Sequence, residues 1–299
     1  MNFVYMLSHM PLAMAHSQPA VTDDAPFDPD PAGMEPPAMK GNLTRIRPIW
    51  HAVPAMSFAE DVPGHWHAKS GQDRLIAALL GGKQRGYFID LAANHPIFVS
   101  NSRALERDYG WDGLCIEANP RYWTLLRASR ACKVIAVAVA DTERTVTFVD
   151  QRKGGFGGIV GVNPHVRPAR KQGQIRGEFQ TQTVAFQTLL AQADAPRSID
   201  YLSLDVEGAE TLAMASFPFS SHSIAVLTVE EPKVPLKQQL ANHDYRQLCR
   251  LGSDQVWVHN GTSLQADAVQ RIVHCSGAPR CEPVVAQEAS WSCSTLSRG

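Results

Sequence analysis

Between Asp90 and Asn101 the chain has no glycine, although the segment "DLAANHPIFVSN" follows an apolar run and leads into a helix-like stretch. That outline is the start of a nucleotide-binding strand, loop and helix. A dinucleotide pyrophosphate needs bare backbone at the helix N-terminus, so the missing G-x-G-x-x-G counts against a nicotinamide-dependent oxidoreductase. Glycines do cluster at residues 154–161, "GGFGGIVG", but no Lys-Ser/Thr follows them, which excludes a phosphate loop there. The segment reads as a flap over an acceptor or as a flexible connector. Charge of either sign is not in excess: 28 Lys and Arg face 29 Asp and Glu, for a net charge of −1. This gives no electrostatic ground for nucleic acid or an acidic membrane as partner. The short basic stretch Arg167, Arg170, Lys171 and Arg176 reads as a solvated loop. No run reaches the roughly 18 consecutive apolar residues of a transmembrane helix. No C-x-x-C spacing marks a zinc site, and no internal repeat is visible.

What the sequence has is 299 residues with 44% hydrophobic and 19% charged content. That is enough for one large α/β domain or two small ones. Residues 1–64 are expected to be a disordered or targeting leader, because Pro, Asp, Ala and Met dominate residues 16–64. The first twenty residues have an apolar core and an Ala13-Met14-Ala15 triplet like a cleavage site. They lack a basic start, and His9 and Pro11 interrupt them. Both the cytoplasm and the secretory pathway are compatible with such an N-terminus. Residues 263–299 form an irregular tail with a short helix expected at 264–274. Of the six cysteines, Cys115 and Cys132 read as buried thiols, whereas Cys275, Cys281 and Cys293 cluster in this tail.

The region between is strongly patterned. Apolar strands are expected at residues 87–92, 113–117, 133–139, 199–205 and 224–230, with an added strand at 145–150. Helices are expected at 100–109, ended by Gly110, at the segment opened by Asn119-Pro120, after Asp205 and at 235–242, and strand and helix return in "VAFQTLLAQADA". Continuous apolar strands alternating with helices imply a parallel sheet covered on both faces. "YRQLCRLG" and "DQVWVH", joined at Gly252-Ser253, suit an antiparallel hairpin at its edge.

Ligands of open α/β sheets bind beyond the carboxyl ends of the strands. Those ends carry Asp90, Glu117, Asp141, Asp205 and Glu230, all acidic. Carboxylates there repel phosphate, so a ligand with hydroxyls and a positive charge fits better. Glu117 sits in the apolar run "GLCIEANP", where an idle Glu is costly, and a carboxylate at that place can accept from a ribose diol.

"GYFIDLAAN", "GWDGLCIEANPRYW" and "IDYLSLDVEGAE" together resemble the FkbM-type family of S-adenosylmethionine-dependent methyltransferases, over about residues 71–259. The resemblance implies an α/β, Rossmann-like methyltransferase sheet with an antiparallel final strand. It also implies methyl transfer, usually to a hydroxyl of a carbohydrate or small metabolite. Matched residue by residue, Asp90, Ala92 and Asn94 fall in the first cofactor motif. Glu117 falls on the ribose acid, Asp141 near the adenine, and Asp205, Glu207 and Glu210 on the fourth-strand acidic motif. The first motif departs from the family pattern, with Ala92 and Pro96 in place of glycines. Alanine has a Cβ and loses easy access to positive φ, whereas Asn94 tolerates it.

Asp205 and Glu207 are the candidates for taking the acceptor's proton, with His95 as a further base or merely a loop histidine. Glu210 reads as a helix-capping acid. Grouped carboxylates can hold a divalent metal, but no metal is assigned. His65 and His67 have spacing that suits no metal site on a helix, and Trp111 and Trp123 are expected to pack the core. The expected partners are the cofactor and a small-molecule or glycan acceptor. A non-catalytic relative that keeps the fold for protein interaction is the alternative the missing glycines support.

Overall fold

The structure is a computed structural model that describes residues 49–51, 61–151, 157–162, 175–264 and 282–283. The expected helix at 264–274, the tail cysteines Cys275, Cys281 and Cys293, and the basic stretch at 167–171 lie outside these residues, as do most of the leader and part of the glycine-rich segment.

The main sheet is built on five parallel strands. They are β2 (Tyr87–Leu91), β3 (Asp112–Ile116), β4 (Lys133–Ile135), β9 (Ser198–Leu204) and β10 (Ser223–Glu230). Two antiparallel strands, β11 (Tyr245–Leu251) and β12 (Asp254–His259), follow on one side. The strand order is β1-β4-β3-β2-β9-β10-β12-β11-β13, where β1 is Ile49–His51 and β13 is Glu282–Pro283. Both outer strands come from stretches expected to be irregular: β1 pairs antiparallel with β4, and β13 with β11. The hairpin expected at Gly252-Ser253 is present, with β12 inserted between β10 and β11.

The strands read as unbroken apolar runs because helices cover both faces. Ile89, Leu91, Leu114, Ile116, Leu202 and Leu227 pack on α4 (Phe186–Gln192), α5 (Glu210–Met214) and α6 (Val234–Asn242). Their alternates Phe88, Cys115, Val134, Tyr201 and Val226 pack on α1 (Gln72–Leu79), α2 (Arg103–Tyr109) and α3 (Pro120–Ser129). With a pleat of period two, each strand thus supplies both halves of the core. Cys115 and Cys132 are buried free thiols with Sγ atoms 3.3 Å apart, and Cys249 is disulfide-bonded.

The run 133–139 is not one strand. It breaks after Ile135, and β5 (Ala138–Ala140) joins a second sheet of order β5-β8-β6-β7. There β6 (Thr145–Gln151) pairs antiparallel with both β7 (Gly157–Ile159) and β8 (Ile175–Ala185). An apolar run alone cannot report that its two halves find different neighbours. The described part of the glycine-rich segment is therefore strand as well as turn. A Cβ on Gly157 would sit 2.7 Å from the Phe148 ring, which stacks on Phe179.

Close approach decides a glycine between β2 and β3 too. A Cβ on Gly113 would lie 2.4 Å from the Phe88 carbonyl oxygen and 2.7 Å from its ring. Backbone cannot swing aside as a side-chain end can, so Gly113→Ala is expected to destabilise the fold by about 1–3 kcal/mol, the scale of core overpacking. Urea unfolding would check this; an unchanged midpoint would contradict the close packing of β2 on β3.

The chain order places the crevice. From β2 the chain steps outward through β3 to β4, then returns to lay β9 against the other side of β2. The direction of winding reverses between β2 and β9, and loops leaving the carboxyl ends of those two strands diverge there. Asp90 with its loop and Asp205 with its loop are the segments so exposed. The Asp205 backbone N–H still reaches the Leu91 carbonyl at 3.5 Å.

Candidate functional site

The glycine-free loop adopts the turn that glycines would have made easy. Ala92 has φ 68° and Asn94 φ 54°. A left-handed alanine costs roughly 1–2 kcal/mol, so something must hold it there. Ala92 and Ala93 both donate their N–H groups to the Ile116 carbonyl, at 2.9 and 3.1 Å. Asn94 donates its own to Glu117 Oε2 at 2.7 Å. Further on, His95 Nδ1 accepts from the Ile97 and Phe98 N–H groups at 3.2 and 3.1 Å. Nδ1 is thus an acceptor and the ring proton sits on Nε2. Burial, reinforced by Arg121, lowers the His95 pKa to about 4. His95 is therefore neutral at physiological pH, with Nδ1 committed to the loop's own N–H groups.

Glu117 is buried, and both carboxylate oxygens are engaged: Oε2 by Asn94 and Oε1 by the Asn119 N–H at 2.7 Å. Asn119 caps α3 through its side-chain oxygen, which accepts from the Arg121 N–H at 3.1 Å, and Pro120 opens the helix as its sequence suggested. The Trp123 indole donates to the Glu117 carbonyl at 2.9 Å. Burial raises the Glu117 pKa to about 7; the two N–H bonds oppose this, while Asp90 and Asp150 add to it. Each carboxylate oxygen keeps a lone pair for a hydroxyl donor.

Asp90 points elsewhere. It is 3% exposed and accepts from Ser102 Oγ at 2.5 Å, within a network on the α2–α3 face. Arg130, fully buried, donates to Ser102 Oγ at 2.9 Å and to Glu106 at 2.6 Å. Asp90 therefore fixes the loop from behind. Asp141 also departs from its expected place: it lies exposed after β5 and pairs with Arg144 at 3.2 Å. His65 and His67 belong to another ionic group, in which Asp61 binds Arg103 and Arg107.

The carboxyl ends of β9 and β10 meet in a second constellation. Ligand atoms of Asp205, Glu207 and Glu230 lie within 4.8 Å of one another, a set able to hold one divalent cation or one shared proton. Asp205 and Glu230 carry carboxyl oxygens within that distance of each other, so each feels the other's charge directly. Burial first, then Glu230 and Glu207, push the Asp205 pKa well above the usual range. Glu207, at φ 53°, is raised to about 7 by burial and then by Glu230, Glu210 and Glu231, with Lys69 pulling the other way. Asp254 borders the group and accepts from Gln72 at 2.9 Å. Glu210 is 2% exposed, opens the first turn of α5 and accepts from the Gly208 N–H at 2.8 Å.

Against this geometry, the family model of the methyltransferase FkbM domain matches residues 90–254, more than half of the 299-residue chain. The chain belongs to the FkbM methyltransferase family. Searches of curated proteins and of solved structures return no match. The matched span opens on Asp90 and closes on Asp254, so it contains Glu117, Asp205, Glu207 and Glu230. Of the residues singled out from the FkbM resemblance, Ala92, Asn94 and Glu117 come together in one hydrogen-bonded corner, and Asp205 and Glu207 in the other. Glu230 was visible as a strand-end acid. Asp254 was not: the Gly252-Ser253 hairpin sets it opposite Leu251, and only the pairing of β12 with β10 brings it opposite Glu230.

Proposed function

We propose that this chain transfers a methyl group from S-adenosylmethionine to a hydroxyl oxygen of a carbohydrate or small metabolite, on a sheet of the Rossmann-like methyltransferase kind. The observation that carries the reading is Glu117. A buried carboxylate, oriented by N–H groups from the loops after β2 and β3, stands at the crevice beside the winding reversal. The residues fit the cofactor. Glu117 would take the ribose diol on its remaining lone pairs, with Ala92 to Asn94 as the adjoining wall. The carboxylates Asp205, Glu207, Glu230 and Asp254 make a field that favours a positive sulfonium over an anion.

When bound, the cofactor supplies a methyl carbon on a good leaving group. The chain's own task is to align the acceptor and remove its proton. Glu207 is raised to about 7, so a large share is ionised at neutral pH and able to accept that proton. Asp205 stands beside it, its own pKa pushed well above the usual range by burial and by Glu230 and Glu207. The glycine-free loop favours a second reading, a non-catalytic relative, and one titration separates the two.

Calorimetry with S-adenosylmethionine and S-adenosylhomocysteine is expected to give saturable binding, and Glu117→Ala to weaken it by about 1–3 kcal/mol, the scale of charged hydrogen bonds. Unchanged affinity in a variant that is still folded would remove the ribose assignment. An absence of binding at millimolar ligand would remove the cofactor itself and favour the non-catalytic reading.

A further inference from the structure

The segment before α1 reaches the acidic corner. Gln72, the first residue of α1, is 5% exposed. Both ends of its carboxamide are committed: Nε2 donates to Asp254 Oδ2 at 2.9 Å, and Oε1 accepts the Ser70 N–H at 3.0 Å. These two bonds hold the side chain in one orientation. Gln72 lies outside the matched residues 90–254 and is joined to the last of them. The segment that leads to it is itself anchored. Asp73 accepts the His67 and Ala68 N–H groups at 2.7 and 3.2 Å, Asp108 accepts the Gly64 N–H at 3.0 Å, and Arg107 donates to the His65 carbonyl at 2.9 Å. Ser70 also closes on the hairpin turn: a Cβ on Gly252 would lie 2.9 Å from its Oγ.

Asp254 needs such a partner. It stands directly opposite Glu230 in the antiparallel pairing of β12 with β10. Opposed residues of such a pair have Cβ atoms about 4.5–5.5 Å apart, and like charges there repel. Asp254 is buried, so water does little to screen it. Its oxygens have donors of their own, Gln72 on Oδ2 and the Ser253 hydroxyl on Oδ1 at 3.3 Å. The carboxyl is thereby held by α1 and by its own turn, while Glu230 contributes to the set with Asp205 and Glu207.

We propose that Gln72 is a positioning residue for methyl transfer: it holds the Asp254 carboxyl against α1 and so keeps Glu230, Asp205 and Glu207 as a separate set able to act on the acceptor. Its bearing on transfer rests on the reaction proposed above; its hold on Asp254 does not. Without the amide, Asp254 is left as a buried charge facing Glu230, and the field at Glu207 changes with it.

Two measurements on the full chain test the proposal. In urea unfolding without ligand, Gln72→Glu sets a carboxylate against Asp254 and is expected to lower the midpoint. Adding Asp254→Asn restores a donor and an acceptor with the polarity reversed. Asp254→Asn is therefore expected to raise the midpoint more in the Gln72→Glu chain than in the natural one. Equal changes in the two chains would mean that the two positions are not coupled, and that result overturns the proposal. Initial rates with labelled S-adenosylmethionine and a hydroxyl acceptor read the other half. Gln72→Met has a similar length and no hydrogen-bonding amide. It is expected to lower kcat roughly tenfold to a hundredfold, the scale of a misplaced group, with KM for S-adenosylmethionine within about twofold because the Glu117 corner is untouched. A purely structural Gln72 would lower the melting temperature and leave kcat per folded molecule unchanged, which also overturns the proposal. If the natural chain transfers no methyl group, the reaction reading falls and the role in transfer falls with it. The urea cycle then still decides whether Gln72 sets Asp254.

Discussion

Replacing Arg130 by Ala is expected to cost about 3–5 kcal/mol of stability, enough to leave little folded protein, because it strands buried charge. Arg130 is fully buried. Its guanidinium donates to Glu106 at 2.6 Å and to Ser102 Oγ at 2.9 Å, and stands 5.5 Å over the centre of the Phe88 ring. Glu106 in turn accepts the Ala131 and Cys132 N–H groups, and Ser102 donates to Asp90. Without the guanidinium, Glu106 keeps Arg103 as partner but loses its buried countercharge, and Asp90 loses a favourable neighbour. A double-mutant cycle with Glu106→Gln gives the sharper check. The double variant is expected to unfold at a higher urea concentration than two independent losses would allow. Strict additivity would mean the pair is not coupled. Glu106 also gives the acid limb its sign. Its pKa is held below the usual carboxylate value, with Arg130 and Arg103 overcoming burial. The stability it contributes is present above the unfolded value and is lost as pH falls through the folded one.

The second large effect falls on activity and runs against stability. Glu207→Gln is expected to lower kcat by about 10²–10⁴, the range for a positioned proton acceptor, while making the folded chain more tolerant of alkaline pH. The sign follows from its raised pKa of about 7. Between the unfolded value near 4.5 and the folded value near 7, the folded chain binds more protons, so stability is lost as pH rises through that window. His67 and His95, both lowered to about 4, act in the opposite sense, but only below their ordinary value of 6.5. A comparison between pH 6.5 and 8.5 therefore reads the raised carboxyls, with Asp205 and Glu117 contributing alongside Glu207. Over that interval the melting temperature of the natural chain is expected to fall. That of Glu207→Gln is expected to fall by a few degrees less, on the scale of roughly 1 kcal/mol once partial exposure is discounted. Thermal scans at the two pH values and initial rates of methyl transfer to a hydroxyl acceptor would check both halves. Equal melting shifts would mean that Glu207 is ionised without cost, and full activity would remove it as proton acceptor.

Several features of the site follow from local rules that need no tertiary partner. Asn119-Pro120 is a helix start by capping chemistry alone, and the structure uses the Asn119 oxygen as that cap. Glu117 stands out because an apolar strand ends on it. Glycine signals worked where turns were concerned: Gly110 takes φ 64° after α2, and Gly252 takes φ 65° in the hairpin. They failed for the first loop. Ala92 reaches the left-handed region because two N–H groups of that loop converge on one carbonyl, which sequence alone does not disclose.

Residue type and period thus determined the apolar strands at the centre of the main sheet, that helices cover both its faces, and that its carboxyl edge is acidic. All three depend on residue types and on spacings of a few residues, where local geometry dominates. Direction and partnership were decided by the tertiary structure. It turned Asp90 toward Arg130, left Asp141 exposed on Arg144, and moved residues 138–140 into a second sheet. A side chain's facing depends on which distant strand arrives beside it, and pairings such as Glu230 with Asp254 cost chain entropy that only the assembled core offsets.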